Sequence, residues 1–164
     1  VVITDPAKKK FIADAYRNGG EMMAGSGYPP PLEPGDPREH VMPKVMESAG
    51  YLGEILEQVP VFVIACVRGR VESVPMVIAQ ASTYGSILPA AWSFMLALRS
   101  RGMGSAWTTI HLILEGEKKA AEILGIPYDK ITQGGLFPIA YTVGTDFKPA
   151  KRLPLEKVLH WDKW

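Results

Sequence analysis

The chain has 164 residues, 47% of them hydrophobic and 21% charged, and a formal net charge of +1. That length supports a single domain over residues 1–164 with a real core, and the composition excludes disorder as the overall state. A charge so near neutral excludes a global field for nucleic acid, leaving Lys148, Lys151 and Arg152 as the one local basic patch and no nucleic-acid partner expected.

VVIT, Val1 to Thr4, is β-branched and apolar and reads as the end of a strand already under way. Asp5-Pro6 supplies an N-cap and then a proline for the first helical position. Ala7, Phe11, Ile12, Ala15 and Tyr16 share one face of the helix that follows, while Lys8, Lys9, Lys10 and Arg17 fall off it as a solvated face. From Gly25 to Pro43, six prolines and three glycines exclude a regular helix or an interior strand. Residues 25–43 are therefore an excursion or lid. Helical spacing returns with Val45, Met46, Ala49, Leu52, Ile55 and Leu56. After Pro60, VFVIACV is apolar on both faces, which predicts a strand in the middle of a covered sheet. Its Cys66 is the single cysteine, which excludes an internal disulfide and a cysteine-based zinc site and reads as a buried, inert thiol.

Ser86 opens the next helix, with Pro89 in its first turn. ILPAAWSFMLAL is apolar nearly all round, so this helix is central or is buried again by a partner chain, and a homodimer is expected. EGEKKAAEILGIP is a short helix with acids on its solvated start, Gly125 just past its end and Pro127 beyond. GGLFPIAYTVG is an apolar strand, and Pro138 predicts an edge or a bulge in it. The tail DFKPAKRLPLEKVLHWDKW is basic, then aromatic, and reads as an extended arm. Strands and helices mixed without a strict βαβ rhythm predict an α+β fold. No stretch approaches ~18 uninterrupted apolar residues and no signal peptide is read, so a cytoplasmic protein without a membrane partner is expected.

RSRGMGSAWTTIHL, Arg99 to Leu112, is the stretch with the clearest chemical question. A dinucleotide fingerprint needs a third glycine where Trp107 stands, and it leaves a strand, whereas here a helix runs into the glycines. A nucleophile elbow fails because Ser105 follows Gly104 directly, and nothing places His40, His111 or His160 beside it. A phosphate loop with its terminal Lys-Ser/Thr is absent. Two readings survive. Gly102 ends the helix with φ > 0 and Trp107-Thr108-Thr109 present N–H groups in an apolar wall, or the stretch is an ordinary turn with no ligand.

LPAAWSFMLALRSRGMGSAWTTIHL, AAEILGIP, FPIAYTVG and KRLPLEKVLHW, in this order, resemble the nitroreductase family of flavin-dependent oxidoreductases over roughly the last half of the chain. VVITDPAKKKFIADAY and VPVFVIACV add weaker agreement. The resemblance implies an α+β, nitroreductase-like fold with a central, mostly antiparallel sheet flanked by helices, an intertwined homodimer and FMN at the subunit interface. It implies that Trp107, Thr108 and Thr109 lie along the isoalloxazine ring, with N–H groups near its N5 and O4 atoms. Arg152 matches the family's C-terminal basic residue on the FMN phosphate, with Lys151 as a helper, and Ser86 and Ile87 fall where the other subunit approaches the flavin. The family's N-terminal helix and arginine-rich phosphate motif have no counterpart in this sequence; either they precede Val1, which the half-strand VVIT favours, or the chain binds FMN poorly.

No catalytic side chain is implied, because the flavin carries hydride and electron transfer itself. The implied activity passes electrons from NAD(P)H, NADH or NADPH, to a nitroaromatic, quinone or similar small-molecule substrate by a ping-pong mechanism. A flavin-binding or storage protein with little turnover, and a non-enzymatic dimeric interaction domain, are the alternatives. Trp92, Phe94 and Met95 are expected in the core or at a dimer contact, and His111 as a satisfied wall residue. His160, Trp161 and Trp164 are expected to pack the C-terminal arm.

Overall fold

The computed structural model describes residues 1–27, 30–36, 38–149 and 152–164. Among them, Val2–Ile3 (β1), Val61–Arg68 (β2), Met103–Ser105 (β3) and Ile131–Tyr141 (β4) form a sheet in the order β1-β2-β4-β3. Every neighbouring pair is antiparallel. Four α-helices accompany it: Pro6–Ser26 (α1), Met42–Ile55 (α2), Val77–Arg99 (α3) and Gly116–Leu124 (α4). This is the expected α+β architecture, a central antiparallel sheet flanked by helices.

The start of α1 follows its sequence signals, since the Asp5 carboxylate accepts from the Lys8 N–H at 2.9 Å and Pro6 occupies the first turn. Ile12, Ala13 and Tyr16 are buried and join Ile3, Leu56, Phe62, Ile64 and Leu136 in the core. Lys9 is not part of a solvated face. Its stem is buried and its ammonium donates to the Val59 carbonyl at 2.7 Å, so a long side chain covers apolar surface while its charge keeps a polar partner. The excursion is also shorter than Gly25 to Pro43. Helix α1 continues to Ser26, and α2 takes Pro43 into its first turn, where the missing N–H has no intrahelical partner to lose.

Strand β2 lies inside the sheet, as expected, but only one of its faces is fully covered. Phe62 and Ile64 are buried, while Val61, Val63 and Ala65 on the other face are half-buried. Cys66 is half-buried and burial pushes its thiol above the ordinary range, consistent with an inert group.

Two expectations about proline are corrected. Helix α3 begins at Val77, immediately after Pro75-Met76, and not at Ser86. Ser86 and Pro89 are therefore interior residues, and Pro89 removes the N–H that would have bonded the carbonyl of Gly85. Strand β4 is neither an edge nor bulged at Pro138, because it pairs with both β2 and β3. The bulge falls instead between Ala65 and Cys66, whose partners Gly135 and Gln133 skip Gly134.

The ladder geometry explains how Pro138 is accommodated. Leu136 and Thr108 exchange both backbone hydrogen bonds, at 3.1 and 2.8 Å. Leu136, Pro138 and Ala140 therefore turn their N–H edges toward β3. Gly104 opposite Ala140 and Thr108 opposite Leu136 put Ala106 opposite Pro138. Proline has no N–H to give there, so β3 ends at Ser105 and the chain leaves the ladder until Thr108 rejoins it.

Candidate functional site

The segment released from the ladder is the one singled out in the sequence. Helix α3 ends at Arg99, and Gly102 turns the chain at φ 73°. Gly104 faces Thr142, and a Cβ there would lie 2.9 Å from the Thr142 methyl. Trp107, Thr108, Thr109 and Ile110 then line an open cleft of about 530 Å³.

This wall is anchored from several sides. Thr108 is bridged to Leu136 on β4, and its hydroxyl accepts the Ile110 N–H at 3.3 Å. The Trp107 indole packs on β4 over Gly135, where a Cβ would lie 2.7 Å from Nε1, and its ring meets Phe137 at 5.6 Å. From α1, Gly19 admits the Ile110 carbonyl, to which a Cβ would lie only 2.5 Å. The buried phenol of Tyr16 donates to the Ala49 carbonyl at 3.0 Å; burial pushes its titration up, and the neighbouring Thr108 hydroxyl opposes that.

The anchoring decides which donors the wall offers. The Thr108 N–H is spent on Leu136. The N–H groups of Trp107 and Thr109 have no acceptor among the described residues, and both residues are exposed at the cleft. A flat acceptor laid against the wall would meet these two donors. That donor set fits the polar edge of a flavin ring.

Ile87 of α3 packs over Gly134, 3.4 Å from where a Cβ would stand, so adjacent glycines of β4 receive Ile87 and Trp107. Ser86 is exposed, and its hydroxyl bonds the Thr83 carbonyl one turn back. Arg152 is not brought to this wall. It lines a separate cavity of about 230 Å³ with Arg38, His40, Val41, Met42 and Leu153. Arg38 there is forked onto Asp36, and that hydrogen bonding holds the Asp36 carboxyl down to about 2. Lys151 lies outside the described residues.

Behind the wall, the 3₁₀ turn Ile110–Leu112 carries His111 into the interior. His111 is fully buried, but it is not the satisfied residue the sequence suggested, because neither ring nitrogen has a hydrogen-bond partner. Burial pushes it down to about 4, opposed by the Gln133 amide and the Glu117 carboxylate. Glu117 is likewise not part of a solvated helix start. Its carboxylate takes two bonds from Arg70 at 2.9 Å and one from the Gln133 N–H at 2.9 Å. Arg70 also donates to Ile131 O at 2.7 Å and stacks 4.1 Å from the Tyr128 ring. Sequence reading missed this network, since Arg70 and Glu117 stand 47 residues apart and carry no local signal.

The antiparallel sheet flanked by helices, with a backbone wall released beside its inner strand, defines an α+β domain of a known family type. The chain belongs to the Nitroreductase family, whose pattern it matches over residues 3–141. Solved structures agree in fold. An FMN-dependent nitroreductase from Clostridium difficile R20291 superposes with a TM-score of 0.59 at 16% identity, over 100% of this chain and 74% of that one. Oxidized iodotyrosine deiodinase bound to FMN and 3-iodo-L-tyrosine gives 0.62 at 14% identity, over 100% and 75%. A protein from Bacteroides thetaiotaomicron VPI-5482, assigned as an NADH dehydrogenase/NAD(P)H nitroreductase, gives 0.60 at 18% identity, over 100% and 71%. No curated protein matches the sequence.

Proposed function

We propose that the chain is an FMN-dependent oxidoreductase that takes electrons from NAD(P)H and passes them to a nitroaromatic, quinone or similar flat acceptor. The observation that carries this reading is the wall itself, with the Trp107 and Thr109 N–H groups lacking acceptors among the described residues beside an open cleft. FMN, when bound, supplies the hydride and electron transfer. The protein's share is to hold and orient. Trp107 and Thr109 donate to the polar edge of the ring, and Thr108 keeps the wall on β4. Donor and acceptor use the same cleft in turn, which gives ping-pong kinetics. The visible absorbance of the purified protein tests this. A flavin spectrum lost on removing small molecules and regained with FMN supports it, and a colourless protein that stays apo with FMN present sinks it. Steady NAD(P)H oxidation with a quinone excludes a storage protein.

The family resemblance assigns the FMN phosphate to Arg152, with Lys151 next to it in sequence, although Arg152 here lines a cavity apart from the wall. A charge-assisted bond of this kind contributes about 1.5–3 kcal/mol. Arg152→Ala is therefore expected to weaken FMN binding by roughly ten- to a hundred-fold, read by quenching of flavin fluorescence. A change under about twofold removes Arg152 from the site.

A cytoplasmic homodimer completes the proposal. Helix α3 leaves Val77, Ile78, Trp92 and Leu96 more than half exposed, although its composition is that of an interior helix. Phe94 and Met95 are half-buried beside them. A second copy covers this face and brings Ser86 and Ile87 toward the partner's cofactor. The C-terminal arm presents Trp161 and Trp164, the latter fully exposed and stacked on His160 at 4.5 Å. Sedimentation should find a two-chain particle, and Leu96→Glu should convert it to a single chain. A wild-type protein that sediments as one chain defeats this part. Among the described residues no helix is long and apolar enough to cross a membrane.

A further inference from the structure

His111 and Gln133 lie behind the wall, and His111 belongs to the 3₁₀ turn that follows Trp107–Thr109. Three polar atoms are buried together without hydrogen bonds: His111 Nδ1, His111 Nε2 and Gln133 Oε1. The Gln133 amide is fixed from its other end, where its Nε2 donates to the Glu117 carbonyl at 2.8 Å and its backbone N–H to the Glu117 carboxylate at 2.9 Å. Its free oxygen is an acceptor suited to one N–H of a neutral imidazole. A protonated ring would bring a second donor and a charge into the interior, where the nearby Glu117 carboxylate is already engaged by Arg70 and the Gln133 N–H.

The backbone around His111 has little freedom to adjust. Gly116 of α4 passes so close that a Cβ there would lie 1.9 Å from the His111 carbonyl, and one at Gly19 of α1 would lie 2.5 Å from the preceding carbonyl. Moving the imidazole therefore moves the 3₁₀ turn, and the turn continues directly into Thr109, Thr108 and Trp107.

We infer that His111 is a positioning residue: neutral and set against the Gln133 amide, it holds the Trp107–Ile110 wall in place, and its protonation releases that wall. The consequence for cofactor binding rests on the flavin reading above.

The charged groups around it do not supply another route. From α4, Glu117 faces the imidazole, but its carboxylate is already shared by Arg70 and the Gln133 N–H. From β4 comes the uncharged Gln133, while Thr132 points the other way, to the Gly69 carbonyl and the Val71 N–H. From α1, Ala15 and Gly19 lie at the contact, while Asp14 lines the cleft beyond Ile113 together with Lys119 of α4. Asp14 is itself paired with Lys10 and Arg17.

The sign follows from which state holds the proton. With the wall open, His111 titrates near its ordinary 6.5; with the wall closed it resists a proton until about 4. Opening therefore binds a proton between those limits and is favoured as pH falls, by up to about tenfold per pH unit, and is indifferent to pH above them.

Amide hydrogen exchange, corrected for intrinsic rates, tests this at pH 7 and pH 5 on the whole chain. Segment 105–113 should lose more than about tenfold of its protection at pH 5 in the wild type, while β2 and β4 core amides keep theirs. His111→Gln, which cannot take a proton, should show no such loss; His111→Phe, which keeps a ring, serves if the first variant does not fold. Equal acid opening in wild type and variant overturns the inference, as does a wild-type segment that stays protected. In parallel, FMN and riboflavin affinities are measured from pH 8 to 4.5, riboflavin lacking the phosphate that itself titrates near pH 6. Acid release of both ligands from the wild type, but not from His111→Gln, extends the inference to the cofactor. Failure of both flavins to bind at pH 8 overturns the flavin reading alone and leaves the exchange result to decide the role of His111.

Discussion

Gly116→Ala is expected to lower the folding free energy by about 3 kcal/mol or more, among the largest effects available from a single methyl group in this chain. The added Cβ would stand 1.9 Å from the His111 carbonyl oxygen, a backbone atom that cannot rotate away. Relief requires α4 or the 3₁₀ turn to shift, and the turn is held on its other side by Gly19 against the Ile110 carbonyl. For a chain of this length the loss corresponds to a fall in Tm of roughly 6–12 °C, read by thermal and urea unfolding. Gly20→Ala is the internal control. It lies one residue from Gly19 in the same helix, yet a Cβ there meets nothing within 4 Å. Removing an interior helical glycine should stabilise α1 by about 0.5–1 kcal/mol. Equal effects at the two positions would mean that the close approach at α4 is not a constraint on the fold.

That contrast also shows where sequence reading stops. Gly20 and Gly116 look alike in the chain, and only a carbonyl brought in from elsewhere separates them. Signals whose partner is a few residues away were legible: Asp5-Pro6 at the start of α1, Gly102 after α3, and Gly125 after α4 at φ 68°. The apolar run of β2 was legible as an inner strand because four consecutive positions on one face and three on the other are hydrophobic. The start of α3 was not, since Tyr84-Gly85-Ser86 resembles a break while tertiary packing carries the helix through it from Val77. Pro138 misled for a related reason. A proline forbids one hydrogen bond, and whether that makes an edge depends on which neighbour the lost N–H faced. Here it faced Ala106, and the break it causes frees the wall.

The candidate site divides in the same way. Residues 107–109 were singled out by the family resemblance, since the spacing of Gly102 and Gly104 after α3 left an ordinary turn open, and they line one open cleft. Arg152 was legible as a basic residue in a family-like tail, but the described residues put it in a cavity with Arg38 and His40 rather than at the wall. The buried charges behind the wall left no trace, because charged residues at a helix start read as solvated whenever their partner is far along the chain.

Those buried charges carry the second large effect. Glu117→Ala should cost about 3–5 kcal/mol, because it leaves a buried guanidinium with its main partner removed. The side chains of Arg70 and Glu117 are only 10% and 17% exposed, so water cannot replace what is lost. The Gln133 backbone N–H loses its acceptor in the same step, and the Glu117 carboxylate no longer holds the Arg70 proton so tightly. Arg70 would retain Glu72, which is largely solvated, and the Ile131 carbonyl. The pair's desolvation makes its net value much smaller than the cost of breaking it. Arg70→Met combined with Glu117→Leu should therefore be less damaging than Glu117→Ala alone, with a residual loss of about 1–3 kcal/mol from the unpaired Gln133 N–H. Asp14→Ala, which removes a surface partner of Lys10 and Arg17, should leave the urea midpoint unchanged. A double variant as unstable as Glu117→Ala would show that the two residues act through packing, and that the charge pairing across 47 residues contributes nothing to holding β2, α4 and β4 together.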